Sequence, residues 1–140
     1  HHSDTAMDFS SGFRFHPFEI YLSTLYKFLL IACLGVRFEH FIIYETILFS
    51  MALFNHSNFN MPLKLDLFLR LFIVTPYMHY PHHHPEKKNT NSNYGNFLSV
   101  WDRVFGSYNT IQTHTFGLDT VTRNQALSLR FLFLSIFKKP

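Results

Sequence analysis

The chain has 140 residues and a mass of 16.6 kDa, enough for one modest domain and not for two. It is 47% hydrophobic and 19% aromatic, with 18 Phe against 15% charged residues; that excludes a disordered segment, because so much apolar matter collapses or enters lipid. The net charge of +3 is small and the basic residues are scattered, so no nucleic-acid surface is indicated, and the one cysteine, Cys33, excludes an internal disulfide and an all-cysteine zinc site.

Residues 1–16 are polar and mixed, opening on His1 and His2. They contain no basic stretch followed by an apolar core and a small-residue cleavage site, so no signal peptide is expected and the chain reads as a fragment or a processed product. Phe18–Val36 carries only Glu19 and Lys27 as charges and approaches the ~20 apolar residues that cross a bilayer. After a polar break at Gly35–His40, Phe41–Phe54 is shorter and holds Glu45 near its start, which predicts a re-entrant or tilted segment. Leu63–Thr75 alternates Lys64, Asp66 and Arg70 with Leu and Phe at helical spacing. That pattern predicts an amphipathic helix lying on a membrane or on another helix, ended by Pro76.

The zone Pro76–Tyr108 is rich in His, Asn and turn formers and too polar to be embedded in lipid. Thr110–Arg123 reads as a loop with weak strand character, and Gln125–Phe137 as a last apolar helix ending in Lys138 and Lys139. The alternative to lipid is a buried helical core, but a globule of this length has too little interior for its phenylalanines and aliphatics. Membrane association is favoured. Lys87, Lys88 and Arg103 put the polar zone on the cytoplasmic side by the positive-inside tendency.

Ten histidines need a reason, four of them between His79 and His84. His79, His82 and His83 are spaced H-x-x-H-H, so on a helix they share one face, with Pro81 tolerated in a first turn. Neutral imidazole suits Zn, Cu, Fe and Ni, and three of them fill only part of a coordination shell. His1, His2 and His56 are the candidates for the remainder; His56 sits in Asn55-His56-Ser57-Asn58, where an apolar stretch gives way to polar chain. His16, in Phe15-His16-Pro17, suits a supporting or packing role better than ligation. His40 and His114 default to surface positions and His84 to a bystander. More than four histidines without a nearby cysteine favour a larger or two-metal site over a closed zinc site. The H-E-x-x-H string of zinc proteases is absent.

Four strings are specific enough to carry a resemblance: HHSD (His1–Asp4), RFHPFE (Arg14–Glu19), NHSN (Asn55–Asn58) and TPYMHYPHHHPEKKNTNSNYGNFLSVWDRVFGSY (Thr75–Tyr108). In this order they closely resemble the fatty acid hydroxylase superfamily and, within it, the bacterial sterol desaturase-like branch. The resemblance implies an all-α integral membrane protein with a cytosol-facing, His-rich metal-binding cap. It further implies a non-haem centre of two Fe, O2 as co-substrate, an external electron donor delivered by a redox partner protein, and hydroxylation or desaturation of a fatty acyl or sterol-like lipid in lipid biosynthesis. By position His79, His82 and His83 resemble the last histidine box, His1 and His2 the end of the middle box, and His56 the single histidine after the third apolar region. Asp4, Asn93 and Asp102 would orient ring nitrogens or tie down the loop; a helix cap is an equal reading for Asp102.

The first box, the opening histidine of the middle box and the helices that carry them are missing, so residues 1–140 are expected to be the C-terminal part of such a domain. Ala52 stands four residues before His56, where some relatives carry a further histidine. Such a piece is expected to hold one metal at most and to be inactive alone. The rival readings are a non-catalytic zinc-binding membrane protein, a copper chelate at the N-terminal amine and His1, and a zinc hydrolase lacking an evident general base.

Overall fold

His16 and Pro17 start the first long helix, α1 (Pro17–Leu34). Pro17 needs no N–H at the first helical position, and the His16 ring takes up the Phe18 N–H at 3.1 Å. Gly35 stops the helix in the left-handed region, at φ 64°, with its N–H returned to the Ile31 carbonyl. Three residues later α2 (Phe38–Asn55) turns back along α1. Lys27 and Glu45 pair across the hairpin at 2.7 Å, and Phe28 meets Phe41 ring to ring. The computed structural model describes residues 2, 4, 7–13, 15–117 and 128.

α2 corrects the expectation of a shorter segment: it has 18 residues, as many as α1. Glu39 in its first turn complements the helix dipole, so the polar residues after Gly35 join the helix rather than interrupting it. By length and composition α1, with a mean hydropathy of 1.4, is the candidate membrane span among the described residues. None of its side chains is buried.

α3 (Leu63–Leu69) is also shorter than its sequence pattern predicts. Past Arg70 the chain unwinds so that Ile73 bridges to Leu98 and the Val74 N–H reaches the Phe97 carbonyl at 2.8 Å. Pro76 therefore opens the next helix instead of closing this one. α3 is amphipathic in the reverse sense to a helix in water: Asp66 and Arg70 are buried, while Leu63, Leu65, Leu67 and Phe68 are exposed.

The polar zone is a compact set of short turns: α4 (Pro76–His79), a 3-10 turn at Tyr80–His83, α5 (Lys87–Thr90) and α6 (Val100–Val104). No strand forms among the described residues, so their architecture is all-α. From 105 to 117 the chain is irregular, without the weak strand character expected from Thr110; the terminal helix expected over Gln125–Phe137 falls almost wholly outside the described residues. Short turns cannot satisfy their own backbone, and buried amides supply the partners. Asn93, itself at φ 48°, donates to the Met78 and Asn109 carbonyls at 2.6 and 2.8 Å and accepts the Asn109 N–H at 2.8 Å.

Candidate metal centre

Three separate stretches bring imidazoles together. α2 delivers His56 as its C-terminal cap, α4 and the following 3-10 turn deliver His79, His82 and His83, and the N-terminal segment brings His2. The ligand nitrogens of His56, His79 and His83 all lie within 4.8 Å of one another, and all three residues are buried. His2 closes the group, its ring 4.5 Å from that of His82 and 4.7 Å from that of His83, centre to centre. His82 stands 5.3 Å from His79.

The turn works as the H-x-x-H-H spacing requires. Thr75 caps α4, its hydroxyl accepting the Met78 N–H, and Pro81 sits in the first turn of the 3-10 segment, where a missing N–H costs nothing. His79 and His83, one turn apart, bring their Nε2 atoms to 3.2 Å. Two imidazoles bound to one ion at ~2.1 Å and at right angles would stand about 3.0 Å apart, so this spacing fits a shared cation with little movement.

Ring orientation is fixed from behind. His56 Nδ1 lies 2.7 Å from the Ala52 carbonyl, and His82 Nδ1 lies 2.9 Å from both the Thr90 and Ser92 carbonyls. A carbonyl only accepts, so each Nδ1 carries the proton and each Nε2 keeps its lone pair. That arrangement is typical of metal-binding histidines. The carbonyls have no side-chain signature, which is why the sequence does not reveal them.

Burial lowers the pKa of His2 to about 4, and of His56, His79, His82 and His83 as well. The neighbouring imidazoles add to it in His2, His56, His79 and His83, since none welcomes a second positive charge beside it. Opposing pulls come from the Ala52 carbonyl and Asp4 at His56, and from the Thr90 and Ser92 carbonyls and Asp102 at His82. The five rings are neutral near pH 7, the form that ligates a metal. The donor set therefore fits a transition ion with a preference for nitrogen.

The remaining candidates are distributed around this group. Asp4 is buried and accepts the Ser11 hydroxyl at 2.6 Å. Asn93 lies beneath the turn, its backbone beside His79. Asp102 takes the Tyr94 and Gly95 N–H groups at 2.8 and 3.0 Å and the Ser107 hydroxyl at 2.8 Å; it ties down the Asn-Tyr-Gly loop. His16 caps α1. His84 accepts the Glu86 N–H through its ring at 3.0 Å, and His114 packs against Tyr80. His1 lies outside the described residues.

Two neighbours escaped the reading of the sequence. The Tyr94 ring stands edge-on to His82 at 5.3 Å, and the buried Asp66–Arg70 pair stands behind Thr75. The helical pattern of Leu63–Thr75 places Asp66 and Arg70 on the polar face of an amphipathic helix, and nothing in their spacing marks them as internal.

The sequence model of the fatty acid hydroxylase family matches residues 1–107, a stretch that includes all five clustered histidines. No curated protein and no solved structure matches the chain.

Proposed function

The chain belongs to the fatty acid hydroxylase family, and from that premise we propose that it is the histidine-bearing part of a membrane-bound, iron-dependent enzyme that uses O2 to hydroxylate or desaturate a lipid C–H bond. The observation that carries the reading is the convergence of His2, His56, His79, His82 and His83 with the Nδ1 atoms of His56 and His82 held by carbonyls. In this reading the α1–α2 hairpin lies in the bilayer, which agrees with its exposed apolar side chains. His56 ends α2, so the metal site sits where the hairpin leaves lipid, within reach of a substrate dissolved in the membrane. The cytoplasmic orientation rests on Lys87, Lys88 and Arg103 and the positive-inside tendency.

Bound iron supplies dioxygen activation, chemistry that no side chain provides. The chain's own work is to hold and shield it. Neutral imidazoles leave the metal's positive charge uncompensated; the Ala52, Thr90 and Ser92 carbonyls fix the tautomers; and Asp102 holds the Tyr94 loop beside His82. The electrons come from an external donor, with a redox partner protein as the proposed source, and any second iron draws on ligands beyond these five.

The test has two stages. Metal analysis of this chain, purified in mild detergent from iron-replete cells, is expected to find iron at up to one per chain; zinc in its place would favour the non-catalytic reading. The full reading frame, in membranes with reductant and 18O-labelled dioxygen, is then expected to place label in a lipid hydroxyl or to yield a new double bond. Bound iron without any oxidised lipid would overturn the proposal.

A further inference from the structure

α4 has four residues, too few to hold a helical shape by themselves, yet it carries His79 and leads into His83. Its shape is set from outside. Thr75 closes its first turn, and the Thr75 hydroxyl has one proton to place. That proton goes to Asp66 Oδ1 at 2.6 Å, leaving a lone pair for the Met78 N–H at 3.3 Å, while the Thr75 carbonyl receives the His79 N–H at 2.9 Å. Asp66 and Thr75 are both fully buried.

The Asp66 carboxylate is paired with Arg70, one turn along α3 and also buried. Taking such a pair out of water is costly, and an apolar pair of similar volume commonly serves stability as well or better. α3 has every opportunity to do otherwise, since its apolar side chains are the ones turned outward. The pair therefore calls for a use beyond holding the helix down. Its second connection is to α6: the Arg70 carbonyl accepts the Ser99 hydroxyl at 2.6 Å and Arg103 Nη2 at 2.7 Å. One node thus faces the histidine turn on one side and the element carrying Asp102 on the other.

We propose that Asp66 is a positioning residue for the metal centre: held by Arg70, it orients the Thr75 hydroxyl and so fixes the turn that presents His79 and His83. The inference rests on the metal-binding reading of the cluster and adds to it a residue that touches no ligand.

The test compares two double variants in the full-length chain. Asp66→Leu/Arg70→Leu removes both charges and the acceptor, whereas Asp66→Asn/Arg70→Leu removes both charges but keeps an oxygen for Thr75. Anaerobic Fe(II) titration against a competing chelator is expected to show affinity about 10–100-fold weaker in the first, the range for a lost outer partner of a ligand, and within about threefold of the parent in the second. Thr75→Val should behave as the first and Thr75→Ser as the second, which keeps the test alive if the Asp66 variants do not accumulate. Co(II) loading supplies a readout that loss of general stability does not mimic, since its visible bands should shift in the weak binders and hold in the others. Parental affinity and bands in both Asp66→Leu/Arg70→Leu and Thr75→Val would overturn the proposal. Equal weakness in the Leu and Asn doubles would overturn it too. A parent chain that binds neither ion would strike the metal-centre reading itself, before any variant is made.

Discussion

The α1–α2 hairpin and the turn-rich cap are built on opposite principles within one short chain. α1 buries none of its side chains and presents Leu, Phe, Ile and Tyr outward. In the cap, among the described residues, the fully buried side chains include His83, Asn93, Thr75, Ser99 and Asp102. Water would penalise both arrangements. An apolar environment around the hairpin removes the first penalty, and hydrogen bonds to buried groups such as Asn93, Thr75, Ser99 and Asp102 remove much of the second. The hairpin thus depends on its surroundings and the cap on its internal bonds, so the two should fail under different substitutions.

Removal of a ligand should have the largest effect. His83→Ala leaves His79 facing an empty position, and Fe(II) affinity is expected to fall by more than the roughly 100-fold that loss of an outer partner costs; chelator competition measures it, and retained affinity would separate the cluster from metal binding. A charge in the hairpin comes next. Leu25→Asp, at an exposed position in α1, should cost about 2.5–3.5 kcal/mol of membrane insertion if that helix lies at bilayer centre. Sedimentation of membranes with carbonate washing reports it, while a cap in water would tolerate one exposed aspartate with little change.

Crowding the cap should cost somewhat less. A Cβ at Gly95 would meet Asp102 Oδ2 at 2.7 Å and Val74 Cγ2 at 3.1 Å, and that carboxylate cannot withdraw without losing its partners at Tyr94 N–H and Ser107. Gly95→Ala should therefore destabilise by about 1–3 kcal/mol, measured as a lower unfolding midpoint of the detergent-solubilised protein. The gentlest probe is pH. In the metal-free protein the clustered histidines have folded pKa values below the ordinary 6.5, His2 at about 4, chiefly through burial. The unfolded chain therefore takes up protons first as pH falls, so stability is full above 6.5 and declines toward about 4, where His2 itself becomes charged. Denaturation midpoints across that window should drop, and metal loading should flatten the decline; a flat profile without metal would contradict the burial of the rings.

Much of the site was legible because a histidine motif needs little context. H-x-x-H-H fixes three rings on one turn wherever that turn lies, and the strings around His56 and His2 carried the resemblance that grouped them. Where periodicity was the only guide, the reading was weaker. Leu63–Thr75 has a helical pattern, but pattern alone does not say which face is wet, and Asp66 and Arg70 turned inward. The apolar stretch Phe41–Phe54 missed the helix start, because Arg37, Glu39 and His40 are polar by composition yet suit a cap and a first turn around Phe38.

The amino-acid sequence by itself determined the apolar character of the first two long segments and the spacing of His79, His82 and His83, because these follow from composition and local pattern, while the resemblance supplied the all-α class and the grouping of His2 and His56 with them. Only the tertiary structure decided which nitrogen each of two rings offers, which carbonyls hold them, and that a charged pair would be buried behind Thr75. Backbone acceptors have no letter in a sequence, and a hydrogen bond between residues far apart exists only once the chain has folded.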